Sequence, residues 1–245
     1  TDIGTLSTLG TFAEWQVYDQ MSVVRIDKDI PLDVACLVAC GVQTGFGSAT
    51  TAAEVKAGDV VLVIGAGGVG MNAVQGAAMS GASHVIVVDP APFKREQAPL
   101  FGATETFADF AEADEFVKSI TNGQGADSAI VTMGVVHGED IGRAYNAIRK
   151  AGTLVITGLS PVDEDGLPGV NAFTLAMFQK RIQGALYGMA SPREAMPMLL
   201  RLYQSGKLKL DELITRRYTL DQINQAYADM HDGRNIRGII EFGSK

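Results

Sequence analysis

The chain has 245 residues, of which 47% are hydrophobic and 20% are charged, and its formal net charge is −8. This composition is typical of a globular protein with enough residues for one large or two modest domains. The acidic balance and the lack of a basic run argue against nucleic-acid binding and against attachment to an acidic membrane. No apolar run reaches transmembrane length, and the first residues do not resemble a signal peptide.

Only two cysteines, Cys36 and Cys40, are present. Two cysteines are too few for a disulfide framework, and a spacing of four residues does not favour a bond between them. A reducing compartment fits this cysteine usage best. We therefore expect a cytoplasmic protein.

The first part of the chain predicts two short strands followed by two helices. Residues 11–18 alternate apolar and polar side chains, as a half-buried strand does, and residues 22–26 are the expected partner strand. Residues 31–40 begin with proline and an acidic residue and predict a short apolar helix that stops at Gly41. Residues 44–55 predict a second helix.

From Val60 onward the pattern changes to alternating strands and helices. Nearly continuous runs of valine and isoleucine predict buried strands, and helical patterns lie between them. Such an order indicates an α/β fold with a doubly wound parallel sheet that is covered by helices on both faces. The predicted strands are 60–64, 85–88, 129–133 and 153–157, the predicted helices are 69–80, 93–101 and 139–149, and a short strand near Thr106 and a helix over 112–121 fit between the second and third strands.

The last third of the chain continues with a loop and further elements. Residues 160–169 are rich in glycine, proline and acidic residues, and they predict either a lid or an ordinary solvated loop. The remaining predictions are helices over 173–179, 191–205 and 220–231, and strands over 182–187, 213–218 and 238–242.

A glycine-rich turn follows the strand at 60–64 and opens a helix. It contains Gly65, Gly67 and Gly70, and an acidic residue, Asp89, follows the next apolar run. This arrangement predicts dinucleotide binding. The first glycine permits a tight turn, the second lets a pyrophosphate approach the backbone, and the third lets the helix lie close to the strand. The helix N-terminus offers unpaired N–H groups to the pyrophosphate.

Asp89 favours NAD over NADP. Its carboxylate can accept hydrogen bonds from the adenosine ribose hydroxyls, and it would repel a 2′-phosphate. No arginine follows directly, because the next residues are Pro90, Ala91 and Pro92.

Several stretches together resemble the zinc-containing medium-chain alcohol dehydrogenases. They are residues 40–49 (CGVQTGFGSA), residues 65–70 (GAGGVG), residues 88–89 (VD) followed by 93–96 (FKRE) and 101–105 (FGATE), and residues 235–242. The sequence of residues 65–81 and 89–96 is most similar to that of the NDMA-dependent nicotinoprotein branch of the family. The resemblance covers nearly the whole chain.

The resemblance implies a division of the chain into three parts. Residues 1–44 would be the C-terminal part of a GroES-like catalytic domain, with remnant strands. Residues 45–188 would be a Rossmann NAD-binding domain, and residues 189–245 would complete that domain and return toward the catalytic one. The family takes other zinc ligands from upstream of these residues. We therefore expect a fragment of a longer polypeptide that is inactive alone.

The resemblance also implies site residues, several of which have a plain structural alternative. Cys40 matches a catalytic zinc ligand, although the chemistry of a single cysteine by itself favours a small packed side chain. Thr44 matches a catalytic position on the nicotinamide ring, and it is also a suitable helix N-cap. The other implied cofactor contacts are Gly65, Gly67, Gly68 and Gly70 in the turn, Val69 against the ring, Lys94 beside the ribose, Arg237 at the pyrophosphate, the backbone of Thr157, Ala185 and Tyr187 at the carboxamide, and Leu159 at the substrate pocket.

The three histidines are expected to have different roles. His84 and His231 are expected to be structural. His137 follows a parallel strand, at the edge where ligands bind, and is therefore a candidate neighbour of the cofactor.

The resulting functional hypothesis is an NAD-dependent, zinc-assisted oxidoreductase that acts on a small alcohol or aldehyde. Two alternatives stay open: a zinc-free quinone or enoyl reductase of the same superfamily, and a non-catalytic NAD-binding module. A homodimer or homotetramer is expected, with residues 181–187 as the edge strand that meets a second copy, since an exposed edge needs a partner or other protection.

Overall fold

The computed structural model describes residues 10–164 and 166–243. Its centre is a six-stranded sheet with the order β3-β2-β1-β4-β5-β6, in which every neighbouring pair is parallel. The strands are β1 (Val60–Ile64), β2 (His84–Val88), β3 (Glu105–Phe107), β4 (Ala126–Val131), β5 (Ile148–Ile156) and β6 (Arg181–Gly184). The order reverses between β1 and β4, as it does in doubly wound dinucleotide-binding sheets.

Helices cover both faces of this sheet, and two short strands form a separate sheet. The helices are α1 (Leu32–Val38), α2 (Gly41–Gly47), α3 (Gly70–Met79), α4 (Pro92–Gln97), α5 (Phe110–Ile120), α6 (Gly138–Ala147), α7 (Ala172–Met177), α8 (Pro192–Gln204) and α9 (Ile223–His231). Helix α2 continues as a π-helical turn over Ser48–Ala52, and β7 (Ile214–Tyr218) pairs in parallel with β8 (Arg237–Ile240).

The alternation of side chains along β1 produces two hydrophobic cores. Val61 and Val63 point to the face that is covered by α1, α2, α3 and α8. Leu62 and Ile64 point to the other face, where residues of α5 and α6 pack. Successive residues of a strand face opposite sides, so an unbroken apolar run is what a strand buried on both faces requires. The predicted α/β architecture is confirmed.

The predicted N-terminal strands at 11–18 and 22–26 are wrong in this structure. The segment consists of bends and a short 3₁₀ turn at Gln20–Ser22, and Trp15 and Val17 are 85% and 99% exposed. A strand exists only where a second strand accepts and donates its backbone hydrogen bonds. None of the described residues forms a strand ladder with this segment, and of its apolar side chains only the half-buried Ile26 packs against the core.

The junction between α1 and α2 also differs from the prediction. Gly41 does not stop a helix but begins α2, and Cys40 holds the N-cap position with φ −144° and ψ −74°. Thr44 therefore lies inside α2, so its predicted role as an N-cap is wrong. The two helices are bent by 48°. Across the described ranges no single helix has the length and apolar composition of a membrane span, and only this bent pair, taken together, reaches them.

The remaining elements lie close to their predicted positions, with a few changes of type or length. The predicted helix at 93–101 divides into α4 and a 3₁₀ turn at Ala98–Phe101, because Pro99 cannot donate a helical hydrogen bond. The last strand of the large sheet ends at Gly184 rather than at residue 187. The helix at 220–231 opens as a 3₁₀ turn, Leu220–Gln222, with a capping box between Thr219 and Gln222.

Candidate functional site

A cleft of about 770 Å³ opens at the carboxyl ends of β1, β2 and β4. Its walls are the glycine turn after β1, the residues after β2 and β4, and the segment between α9 and β8. In open parallel sheets ligands bind at this place, where the strand order reverses. Of the implied cofactor residues, the cleft is lined by Gly65, Gly67, Gly68, Val69, Asp89, Lys94 and Arg237.

The glycine turn is held to the sheet by hydrogen bonds. Gly65 has φ +98°, a conformation that side chains disfavour, and its N–H donates to the Val88 carbonyl at 2.8 Å. Its own carbonyl accepts a bond from the Thr132 hydroxyl at 2.7 Å. A Cβ at Gly70 would overlap that same carbonyl, so helix α3 approaches the strand as closely as the backbone permits. Thr132, at the end of β4, was not identified from the sequence.

The turn presents free backbone donors to the cleft. The N–H groups of Gly67, Gly68 and Val69 have no hydrogen-bond partner among the residues that the structure describes. Nothing lies within 4 Å of a Cβ built at Gly67, so the space in front of this residue is open. Unpaired N–H groups at a helix N-terminus form an anion site.

Arg237 adds a positive charge beside these donors. Its guanidinium lies directly against Gly68 and Gly41, and a Cβ at either glycine would overlap it. Within the described part of the chain its side chain has no hydrogen-bond or ion-pair partner. Burial lowers the pKa of this guanidinium, whereas the neighbouring Cys40 raises it. A partly buried cation without a partner is costly, and an anion in the cleft would offset that cost.

Asp89 is fixed at the opposite wall. Only 5% of it is exposed, and its carboxylate accepts bonds from the N–H groups of Ala66 at 2.8 Å and Ala91 at 2.9 Å. The Lys94 ammonium lies 3.7 Å from the same carboxylate. Each carboxylate oxygen has a second lone pair, so Asp89 can still accept bonds from a ligand's hydroxyl groups. The free N–H groups with Arg237 therefore fit the pyrophosphate of a dinucleotide, and Asp89 fits its adenosine ribose.

A second group of implied residues lies outside the lining of this cleft. The Ser48 hydroxyl donates to the Thr44 carbonyl at 2.7 Å and lies 2.8 Å from the Thr157 hydroxyl oxygen. Ser48, which the sequence did not single out, thus joins α2 to the end of β5. Tyr187 has φ +48°, and the next residue, Gly188, lies against the backbone of α2.

Two further implied residues, Ala185 and Leu159, offer a ligand less than the resemblance implies. The Ala185 N–H donates to the Ile156 carbonyl at 2.9 Å, so only the Ala185 carbonyl is available to a ligand. Leu159 is 78% exposed and does not line the cleft, although its carbonyl accepts a bond from Val136 at 3.0 Å.

Cys40 is exposed at the start of α2, and Cys36 is exposed one turn earlier. Over residues 10–164 and 166–243, no group of three or more His, Cys, Asp or Glu side chains is arranged to hold a metal ion. A zinc site needs three or four protein ligands. The described residues therefore do not by themselves fit a zinc ion.

The histidines are placed differently from expectation in two cases. His137 does not line the cleft; its Nδ1 lies 2.8 Å from a carboxylate oxygen of Glu164, in the loop after β5. The Gly138 N–H donates to the other oxygen of Glu164 at 2.6 Å. His231 does line the cleft. The sequence missed it because a helix end shows no pattern that identifies the surface it faces.

Comparisons with known proteins agree with this geometry. Residues 68–205 match the family model described as zinc-binding dehydrogenase. The chain is 48% identical over 240 residues to the NDMA-dependent alcohol dehydrogenase of Amycolatopsis methanolica, covering 98% of the chain and 64% of that relative. It is 42% identical over 237 residues to alcohol dehydrogenase B of Mycobacterium bovis, covering 97% of the chain and 63% of that protein.

A solved structure shares the fold. The benzyl alcohol dehydrogenase of Acinetobacter calcoaceticus superposes with a TM-score of 0.82 at 30% identity, over 90% of this chain and 59% of that one. The chain thus spans less than two thirds of the length of the proteins it matches.

Proposed function

The chain belongs to the zinc-binding dehydrogenase family, and from that premise we propose that it is the cofactor-binding part of an NAD-dependent oxidoreductase for small alcohols or aldehydes. The observation that carries the proposal is the combination of three unpaired N–H groups, at Gly67, Gly68 and Val69, with the unpaired guanidinium of Arg237. The names of the relatives support the substrate class.

The residues of the cleft and the second group of implied residues outside its lining each have a role in this proposal. The turn amides and Arg237 bind the pyrophosphate, and Asp89 with Lys94 binds the adenosine ribose. When bound, the nicotinamide supplies hydride transfer. Val69 and Thr44 pack on its ring, and Thr44 is the catalytic candidate of this chain. The backbone of Thr157, Ala185 and Tyr187 orients the carboxamide, and Leu159 borders the substrate pocket.

Asp89 makes NAD the proposed cofactor rather than NADP. Its carboxylate is buried and already held by two backbone donors, so it cannot turn away from a 2′-phosphate. Bringing a phosphate against a fixed carboxylate costs electrostatic free energy that a ribose hydroxyl does not.

Zinc assistance belongs to the longer polypeptide in this proposal. Cys40 would supply one thiolate ligand, and the other ligands would come from residues outside this chain. A non-catalytic NAD-binding module is the second candidate, favoured by the lack of a metal-holding cluster across the described ranges. Alcohol turnover by the 245-residue chain without added polypeptide would exclude that candidate. Zinc missing from an active longer polypeptide would favour a quinone or enoyl reductase.

The domain division that the family resemblance implies is also part of the proposal. Residues 1–44 would belong to the catalytic domain, 45–188 to the Rossmann domain and 189–245 to its end and the returning segment. The separate two-stranded sheet of β7 and β8 supports a distinct role for the last part.

The first experiment measures NADH binding by calorimetry in the wild-type protein and in Arg237→Gln. Loss of a charge-assisted hydrogen bond should weaken binding about 10- to 100-fold. Arg234→Gln is the matched control, because Arg234 lies outside the cleft and is paired with Asp229 and Asp232. If wild-type protein does not bind NADH, the proposal fails.

Permanent retention of the cofactor is a further part of the proposal, and it rests on the likeness to the NDMA-dependent relative. Denaturation of the purified protein should release about one nucleotide per chain. A protein that releases none and binds added NADH reversibly contradicts retention while leaving NAD dependence intact.

We propose a homodimer or homotetramer through the free edge of β6. The Ala185 N–H points to β5, and alternate residues of a strand point to opposite sides, so the Gly184 N–H points outward. Gly184→Pro removes that donor, whereas Gly184→Ala keeps it, and nothing lies within 4 Å of a Cβ at this position. Light scattering should detect a smaller mass for the proline variant alone; equal masses would contradict this interface.

A further inference from the structure

The carbonyl of Gly68 is bonded in an unusual way. In the first turn of α3 the Met71 N–H donates to Gly67 at 2.9 Å, as in a regular helix. The Asn72 N–H, however, donates to Val69 at 3.1 Å instead of to Gly68. The Gly68 carbonyl accepts its bond from the Asn72 side-chain amide at 2.7 Å.

This bond fixes the orientation of one donor of the anion site. The Gly68 carbonyl and the Val69 N–H belong to the same planar peptide unit and point in opposite directions. Holding the carbonyl toward Asn72 therefore aims the Val69 N–H away from it. That N–H is one of the three unpaired donors of the glycine turn.

The Asn72 amide is itself braced by a second buried side chain. Asn72 is fully buried and Gln75 is 3% exposed. The Gln75 amide nitrogen donates to the Asn72 side-chain oxygen at 3.1 Å and to the Lys209 carbonyl at 3.0 Å. The Lys209 N–H donates to the Gln75 side-chain oxygen at 2.8 Å. Both amide groups are thus tied into one network.

We infer that Asn72 and Gln75 are positioning residues of the cofactor site. Through them the backbone at Lys209, which follows α8 in the chain, holds the peptide of Gly68 and Val69 in the orientation that receives a pyrophosphate. Buried amides in such a network have a single hydrogen-bonding arrangement, which keeps the donors preorganised. The inference rests on the proposed binding of NAD(H).

The test compares two ligands in the purified full chain and in Asn72→Leu. NADH carries the pyrophosphate, whereas adenosine carries only the part that Asp89 would hold. We expect Asn72→Leu to weaken NADH binding about tenfold, the usual effect of losing one well-placed hydrogen bond. Adenosine binding, measured by ligand-observed NMR, should stay unchanged.

Asn146→Leu is the matched control. The Asn146 amide makes the same kind of bond, to the carbonyl four residues earlier at Gly142 (2.8 Å), but on α6 and outside the cleft. It should leave the ratio of the NADH and adenosine dissociation constants unchanged. If Asn72→Leu does not fold, Gln75→Met, which removes the brace and keeps the length of the side chain, is used in its place with the same criterion.

The outcomes separate the inference from the proposed function. A wild-type protein that does not bind NADH overturns the function. Wild-type binding with an unchanged ratio in the Asn72 or Gln75 variant overturns the inference alone. An equal loss of both ligands also overturns it, because that result indicates a general structural role.

Discussion

The Arg237 guanidinium occupies the space where Gly68 would carry a side chain. The two residues are 169 positions apart in the chain, yet this contact sets a positive charge beside the free N–H groups of the glycine turn. The third partner, Gly41, closes the same contact from the start of α2. Position 68 therefore needs a glycine for two reasons: the turn itself, and the space that the Arg237 side chain occupies.

Gly67→Ala and Gly68→Ala should separate cofactor binding from stability. A methyl group at position 67 meets no atom within 4 Å, so the melting temperature should be retained while NADH binding falls about tenfold or more, because the methyl takes the place of the phosphate. A methyl group at position 68 displaces Arg237, so the melting temperature and the affinity for NADH should both fall. Calorimetry measures both. Unchanged NADH binding in Gly67→Ala would contradict the placement of the pyrophosphate.

Asp89→Asn should reduce the preference for NADH over NADPH. The substitution removes the negative charge that repels a 2′-phosphate, and it keeps one of the two oxygens that accept the backbone N–H groups of Ala66 and Ala91. The dissociation constant of NADPH divided by that of NADH should fall about tenfold.

The matched control for Asp89 is Asp109→Asn. The Asp109 carboxylate accepts a bond from the N–H two residues later, at Ala111, as Asp89 does from Ala91, but it lies outside the cleft. The ratio of the NADPH and NADH dissociation constants of Asp109→Asn should equal that of the wild type. An unaltered ratio in Asp89→Asn would remove the basis for assigning NAD.

Gly45→Ala should destabilise the fold. A Cβ at Gly45 would overlap the Val69 carbonyl and lie 2.8 Å from the Asn72 Cβ, at the crossing of α2 and α3. Backbone atoms cannot move aside without shifting a helix, so we expect a loss of about 1–3 kcal/mol in the free energy of unfolding. Urea denaturation measures it, with Gly184→Ala as the control at an open position. Equal stability of the two variants would contradict this tight crossing.

The contact between His137 and Glu164 should depend on pH. The hydrogen bond to Glu164 raises the pKa of His137 above its ordinary 6.5, and the bonds from Gly138 and His137 lower the pKa of Glu164 below its ordinary 4.5. The histidine contributes stability that is lost as pH rises through its raised pKa. The glutamate contributes stability that is lost as pH falls through its lowered pKa. The contact is therefore complete between pH 4.5 and 6.5.

An NMR titration of the His137 ring tests this pH dependence. Glu164→Gln should bring the midpoint down toward the ordinary histidine value. Glu139→Gln should shift the midpoint much less, because Glu139 acts on His137 only as a nearby charge, whereas Glu164 is hydrogen-bonded to it. A midpoint that does not respond to Glu164→Gln would show that the two side chains are not in contact in solution.

Local patterns were sufficient for the central sheet and its glycine turn. The apolar runs at 60–64 and 85–88, with Gly65 to Gly70 between them, predict two parallel strands, a tight turn and a helix N-terminus, and the structure has the strands at Val60–Ile64 and His84–Val88. Each of these properties depends on residues that are near one another in sequence. The position of Asp89 after the second strand follows in the same way, because parallel strands end at one edge of the sheet.

Local patterns failed where an element depends on a distant partner. The alternation at residues 11–18 is that of a strand, but no described strand pairs with it. The spacing at Gly41 is that of a helix end, but Gly41 begins α2 and lies against the guanidinium of the distant Arg237. Hydrogen-bond pairing and close packing between remote segments have no signature in either segment alone.

The sequence by itself determined that a dinucleotide turn exists and which residues form it. Only the tertiary structure decided what holds that turn: Thr132 on the Gly65 carbonyl, Asn72 on the Gly68 carbonyl, and Arg237 against Gly68. The physical reason is that a glycine turn follows from local backbone freedom, whereas Thr132, directly after β4, and Arg237, in β8, reach the turn only through the fold. Asn72 lies one helical turn away, but Gln75 ties it to the distant Lys209.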